Sequence, residues 1–350
     1  MKLHLLLMIL SIISFTSADA RSMKPPMRIK IAHEITKEGV TDALLIVRDF
    51  NHKEILNVKV GKMDLETPIP IASSTKWISA ALMLKVLEKN SISLDSPIKK
   101  YIPTPILKKI HPKIPDLTFR KFLSFQSSIV ENNKCTYSPF KWMNTKKCSE
   151  KIMTSAEFRS SPGFEYNQMH MAVAGYVIEL IEKKEWNQIF QENFKTFYTI
   201  NKPEVSYYAS PKKRKGFQNP LVAGGLVLQP KTYLDFLQTL VDDGKFNGKQ
   251  FLSNQMITEL NKDHFPSKDF KVYRTPYKSS GDNLHYALGN WYEGNEINSS
   301  GGAFGFYPWI DKKNRYYAIY VTEGRIREAM RSYKIVKNIR PYILKELNKM

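Results

Sequence analysis

With 350 residues, 42% of them hydrophobic and 12% aromatic, the chain can build a substantial core, which excludes a disordered protein and leaves one large domain or two closely associated ones. A net charge of +20 and a pI near 9.6 invite a nucleic-acid reading, as does the run Pro211-Lys212-Lys213-Arg214-Lys215. The opening residues argue against it: Lys2, an apolar run from Leu5 to Phe15 and Ala18-Asp19-Ala20 have the layout of an export signal.

Residues 1–20 are therefore expected to be a signal peptide, leaving 21–350 as a periplasmic or secreted protein with no nucleic-acid partner. No later segment approaches 18 uninterrupted apolar residues, and no cysteine sits at the cleavage junction to carry a lipid. The charge then reads either as a solvated lysine surface or as attraction to an anionic cell-wall or membrane surface. A monomer is expected.

Residues 42–49 and 54–60 flank the turn-like Phe50-Asn51-His52-Lys53 and predict a β-hairpin. The segment Ile71-Ala72-Ser73-Ser74-Thr75-Lys76-Trp77 follows. It heads an amphipathic helix with Ile78, Ala81, Leu82, Val86 and Leu87 at helical spacing, stopping near Lys89-Asn90. Residues three apart share a helical face, so the Lys76 amine can reach the Ser73 hydroxyl and, partly desolvated, take its proton. Ser-x-x-Lys occurs four times, at Ser73, Ser96, Ser138 and Ser210, but the last three are each followed directly by proline. Only Ser73 heads an apolar helix; the alternative reading is a helix N-cap serine.

From 91 to 281 helical patches alternate with loops, and helices are expected from Ala172 to Lys183 and from Lys231 to Asp243. Cys135 and Cys148, the only cysteines, are expected to pair after export, for about 3 kcal/mol by chain-entropy reasoning. Two cysteines and scattered histidines make no metal motif, so neither metal nor cofactor is expected. Strand character returns from Tyr286 to Trp291 and from Ala303 to Ile310, then turns through Asp311-Lys312-Lys313-Asn314 into Arg315 to Val321. A final helix is expected from Arg325 to Leu347.

Strands at both ends around a helical middle predict an α+β fold. An antiparallel sheet flanked by helices is completed by both termini, about 27–70 and 282–350, with a mostly helical subdomain inserted over about 71–281. The cleft between them is the expected site.

Three further segments join Ser73 and Lys76 in order: Pro162-Gly163-Phe164-Glu165-Tyr166-Asn167-Gln168, Val222-Ala223-Gly224-Gly225-Leu226 and Ser299-Ser300-Gly301-Gly302-Ala303-Phe304-Gly305. Together with Leu117 to Ser128 and Tyr286 to Trp291, they resemble the serine β-lactamase and penicillin-binding superfamily, in its class C-like branch with esterases and D-amino-acid peptidases. The resemblance spans nearly the whole chain beyond the signal. It implies Ser73 as the acylated nucleophile, Lys76 as its proton acceptor and Tyr166 as the phenol that passes protons to the leaving group. It also implies an oxyanion hole from the amides of Ser73 and Gly302, and substrate contacts from Gln168, Ser299, Ser300 and Gly301.

The departures are informative. Gln168 stands where the family has asparagine, and Ser299 stands where lactamases and peptidases carry lysine or histidine, which removes the cation that reads a substrate carboxylate. The sequence thus favours an exported serine hydrolase acting through an acyl-enzyme on an ester or amide, including small molecules and peptides. The alternatives are a β-lactamase or D-alanyl carboxypeptidase with a cation from elsewhere, and a catalytically silent protein that binds anionic polymers. Asn298-Ser299-Ser300 is formally a glycosylation sequon, read as accidental.

Overall fold

The computed structural model describes residues 25–139, 143–209, 218–267, 270–322, 324 and 328–349, so the leader over 1–20 and the run Lys212 to Lys215 lie outside the described residues. Seven strands form the main sheet: β1 (Ala43–Asp49), β2 (Glu54–Val60), β3 (His285–Tyr286), β4 (Trp291–Tyr292), β5 (Ile297–Ser299), β6 (Tyr307–Asp311) and β7 (Tyr316–Thr322). Their order is β2-β1-β7-β6-β5-β4-β3, antiparallel throughout, so a hairpin from each end of the chain meets at the β1–β7 pair. That pairing runs from Ala43 opposite Thr322 to Asp49 opposite Tyr316, and it closes the sheet across most of the chain length.

Side chains alternate across a strand, so β7 serves two layers. Tyr316 and Tyr320 face the charges of α5 (Glu328–Leu347), which packs with α1 (Pro25–Thr36), while Tyr317 faces Asp235 and Asp242 at α4 (Pro230–Val241). This is an α+β fold with helices on both faces of an antiparallel sheet. Between β2 and β3 come the remaining long helices, α2 (Thr75–Lys89) and α3 (Met169–Glu182) among them.

The apolar helix expected after Ser73, read from its spacing as buried, forms as α2, and its burial is wider than one stripe: it covers every residue from Thr75 to Leu84, then Val86 and Leu87. Enclosure of these turns leaves Lys76 without water, whereas Lys89 in the last turn is exposed. Two strand expectations also need correction. Tyr286 to Trp291 is a tight hairpin rather than one strand, because Gly289 turns with φ 73° and Ala287 N–H bonds back to Asn290 O. The strand expected from Ala303 begins at Tyr307, since Gly302 to Phe306 close a turn around Gly305 at φ 101°. The final helix is present over Glu328–Leu347, the expected start at Arg325 to Arg327 lies outside the described residues, and α1 was not anticipated.

Cys135 and Cys148 form a disulfide with Cα atoms 5.6 Å apart, tying the turn Lys134–Tyr137 to the helix Thr145–Thr154. Among the described residues no helix is long and apolar enough to cross a membrane.

Candidate active site

Ser73 lies in a single 3-10 turn, Ala72–Ser74, immediately before α2. Ala72 adopts φ 45°, a left-handed conformation that costs a non-glycine residue on the order of 1–2 kcal/mol. The turn is held from both sides. Ile71 N–H bonds Leu226 O (3.0 Å), Leu226 N–H bonds Thr75 Oγ1 (3.1 Å), and Ser74 Oγ donates to the carbonyls of Ser300 (2.5 Å) and Phe306 (3.1 Å). The N-cap reading of Ser73 therefore gives way: Ser74 holds the cap position, and the half-buried Ser73 hydroxyl is met by Lys76 Nζ at 3.0 Å.

Lys76 is 1% exposed, and its amine also donates to Ala223 O (2.7 Å) and sits 4.9 Å from the Tyr166 ring centroid. The Val222 to Leu226 turn thus supplies an acceptor to the amine and a strand-like prop to Ser73. Burial disfavours the ammonium and brings Lys76 down to about 7, with Glu131 the one charge pulling the other way. An amine so poised can take a hydroxyl proton near neutral pH. Burial acts oppositely on Tyr166, raising its phenol above the ordinary value, while hydrogen bonding with Ser73 works against the rise. Burial thus favours the neutral form of both groups.

Tyr166 is set by the pairing of Phe164–Glu165 with Val272–Arg274, its N–H on Arg274 O (3.0 Å), and its ring stacks on Trp291 at 5.2 Å. Gly302 presses against the Ser73 turn: a Cβ there would collide with Ile71 O and lie 3.0 Å from Ser74 Oγ. Its amide already donates to Phe306 O at 2.8 Å. Ser300 Oγ points at Ser73 O (3.4 Å), and Gln168, half-buried, holds the N-terminal cap position of α3.

Ser299 is fully buried, beneath the cleft rather than in it. Its Oγ lies 3.2 Å from Tyr307 Oη, which donates to Glu293 Oε1 (2.9 Å), and Glu293 receives the Arg340 guanidinium at 2.5 and 3.2 Å. Burial alone would raise Glu293, but Arg340 holds it below the usual carboxylate range. This corner is a closed, neutral pair. Asn298 is buried as well, its amide on Asn261 O and Asn290 Oδ1, both 2.8 Å, which leaves the sequon no room for a glycan.

Sequence reasoning missed Glu131, Tyr137 and Arg274. Arg274 pairs with Glu131, which accepts the Tyr137 hydroxyl at 2.6 Å; all three influence Tyr166 or Lys76 electrostatically. No spacing links residues so far apart, so no local signal marked them.

A protein-family model described as Beta-lactamase matches residues 40–336. Among curated proteins the chain is 26% identical over 141 residues to fimbrial assembly protein FimD, serogroup H1, of Dichelobacter nodosus, covering 39% of this chain and 34% of that protein. The chain spans about a third of the length of the curated relatives it matches. A candidate beta-lactamase from Bacteroides dorei DSM 17855 superposes with TM-score 0.72 at 20% identity, covering 89% of this chain and 97% of that one. EstCE1, a hydrolase with promiscuous acyltransferase activity, does so with TM-score 0.69 at 14% identity, covering 91% and 98%. At these identities the structural likeness is one of fold.

Proposed function

The chain belongs to the beta-lactamase family, and on that premise we propose that it is an exported serine hydrolase that forms an acyl-enzyme with an ester or amide. The observation that carries the reading is the buried Lys76 amine 3.0 Å from Ser73 Oγ. Neutral Lys76 takes the hydroxyl proton as Ser73 Oγ bonds the substrate carbonyl carbon, whose oxygen gains the charge. The amides of Ser73 and Gly302 meet that oxyanion, the second by sharing or releasing its bond to Phe306 O. Collapse expels the alcohol or amine, which takes the Tyr166 proton; the Lys76 ammonium restores it, and water then releases the acid. The disulfide supports export to an oxidising compartment.

The neutral corner behind Ser299 favours substrates without a carboxylate beside the scissile bond. A second reading, β-lactam or D-alanyl peptide hydrolysis, is favoured by Arg274, which could read a carboxylate that displaced Glu131. Substrate choice separates them. A missing charge-assisted hydrogen bond is worth about 1.5–3 kcal/mol, so short neutral esters should exceed nitrocefin and a D-Ala-D-Ala peptide by about ten- to a hundredfold in kcat/KM. The reverse order, abolished by Arg274→Ala, establishes the second reading.

A further inference from the structure

Ser79 stands one turn beyond Lys76 on the same face of α2, is fully buried, and has no part in the chemistry above. Its Oγ donates to Val222 O at 2.8 Å and lies 2.9 Å from Tyr207 Oη, on a side chain buried as completely. A carbonyl can only accept, so the one serine proton goes to Val222 O and the phenol is the donor to Ser79 Oγ. The order of protons is therefore fixed: Tyr207 to Ser79, Ser79 to Val222.

The next carbonyl along the chain, Ala223 O, is the one that accepts from Lys76 Nζ at 2.7 Å. Lys76 and Ser79 thus hold two successive carbonyls of one turn toward one helix. Tyr207 also holds that turn by its backbone, with Leu221 N–H on Tyr207 O at 2.8 Å, and its neighbours add Ala209 N–H on Gly225 O (2.7 Å) and Val227 N–H on Ser206 O (2.8 Å). Gly225 is what allows this approach, since a Cβ there would collide with Tyr207 O. With the Ser79 hydroxyl removed, Val222 O loses the hydrogen bond that α2 gives it, and a turn that rotates this carbonyl toward another donor carries Ala223 with it.

We propose that Ser79 and Tyr207 are positioning residues for Lys76: they hold Ala223 O where it takes one N–H of the neutral amine, which leaves the nitrogen lone pair facing Ser73 Oγ 3.0 Å away. The Ser73 O–H bond then breaks toward Nζ as Oγ bonds the substrate carbonyl carbon, and the new N–H completes the ammonium. Neither residue touches substrate or the reacting atoms. This inference rests on the reading of Lys76 as the base.

The test measures kcat/KM for p-nitrophenyl butyrate from pH 5 to 9. Ser79→Ala should lower the plateau about tenfold and move the rising limb to lower pH, because a displaced carbonyl no longer favours the ammonium. A merely structural loss would scale the profile at every pH and leave its midpoint in place. A midpoint that stays or rises, or an unchanged plateau, overturns the inference. Tyr207→Phe keeps the ring edge-on to Trp186 and removes only the first donor, so it should shift the limb in the same direction with a smaller loss, about threefold; it decides the question if Ser79→Ala does not fold. Both variants leave the other groups around the amine, Tyr166 and Glu131, in place. Lys76→Met distinguishes the two layers of argument. If it retains ester turnover, the reading of Lys76 fails and the inference with it; if it abolishes turnover while neither Ser79→Ala nor Tyr207→Phe moves the limb, the inference alone fails.

Discussion

Lys76 concentrates the argument at the scale of one residue, because its burial decides both its chemistry and its pH response. As the base it must be neutral, so kcat/KM for a neutral ester should rise with pH through about 7 and level off above it. A rate already flat from pH 5 to 9 contradicts Lys76 as the base. The same shift carries a sign for stability. Between about 7 and the ordinary lysine value of 10.5 the unfolded chain holds a proton the folded site has shed, so stability from this group increases with pH in that window. The contact of Lys76 with Ser73 was legible because both sit in one short helical motif. The absence of charge at Ser299 was legible too, but Glu293 and Arg340 lie on separate elements and their pairing exists only once α5 docks on the sheet.

Elements place these groups through close approach, most sharply where the β3–β4 hairpin meets α2. Gly289, at φ 73°, has its missing side chain aimed at the helix: a Cβ would lie 2.5 Å from Lys76 O and 2.7 Å from Ala80 Cβ. Gly289→Ala adds a left-handed strain of about 1–2 kcal/mol to that clash, so a loss of about 2–4 kcal/mol in urea unfolding is expected, with reduced acylation as α2 shifts. An unchanged unfolding midpoint contradicts the close approach. The same glycine explains why Tyr286 to Trp291 read as one strand. Its aromatic and aliphatic residues satisfy strand preference, whereas the turn is set by a tertiary contact with α2. The β1–β2 hairpin, with its local turn, was read correctly from residues 42–60, as were the cores of α3 and α4 from their periodicity.

At the scale of the molecule, the sheet joins residues near both ends while the chain between them builds the opposite wall of the cleft, and the disulfide fastens that wall close to Gln168. The α+β architecture was legible because strand and helix patterns segregate along the chain; the orientation of the closing helices was not, because α1 and α5 come from opposite ends of the chain and pack on each other only in the folded protein. The central claim is that this frame activates Ser73. Peptide mass spectrometry of the full chain after treatment with a fluorophosphonate tests it most directly. One adduct is predicted, on the peptide containing Ser73, abolished in Ser73→Ala along with ester turnover. An adduct on another serine, or ester turnover that survives Ser73→Ala, contradicts the account.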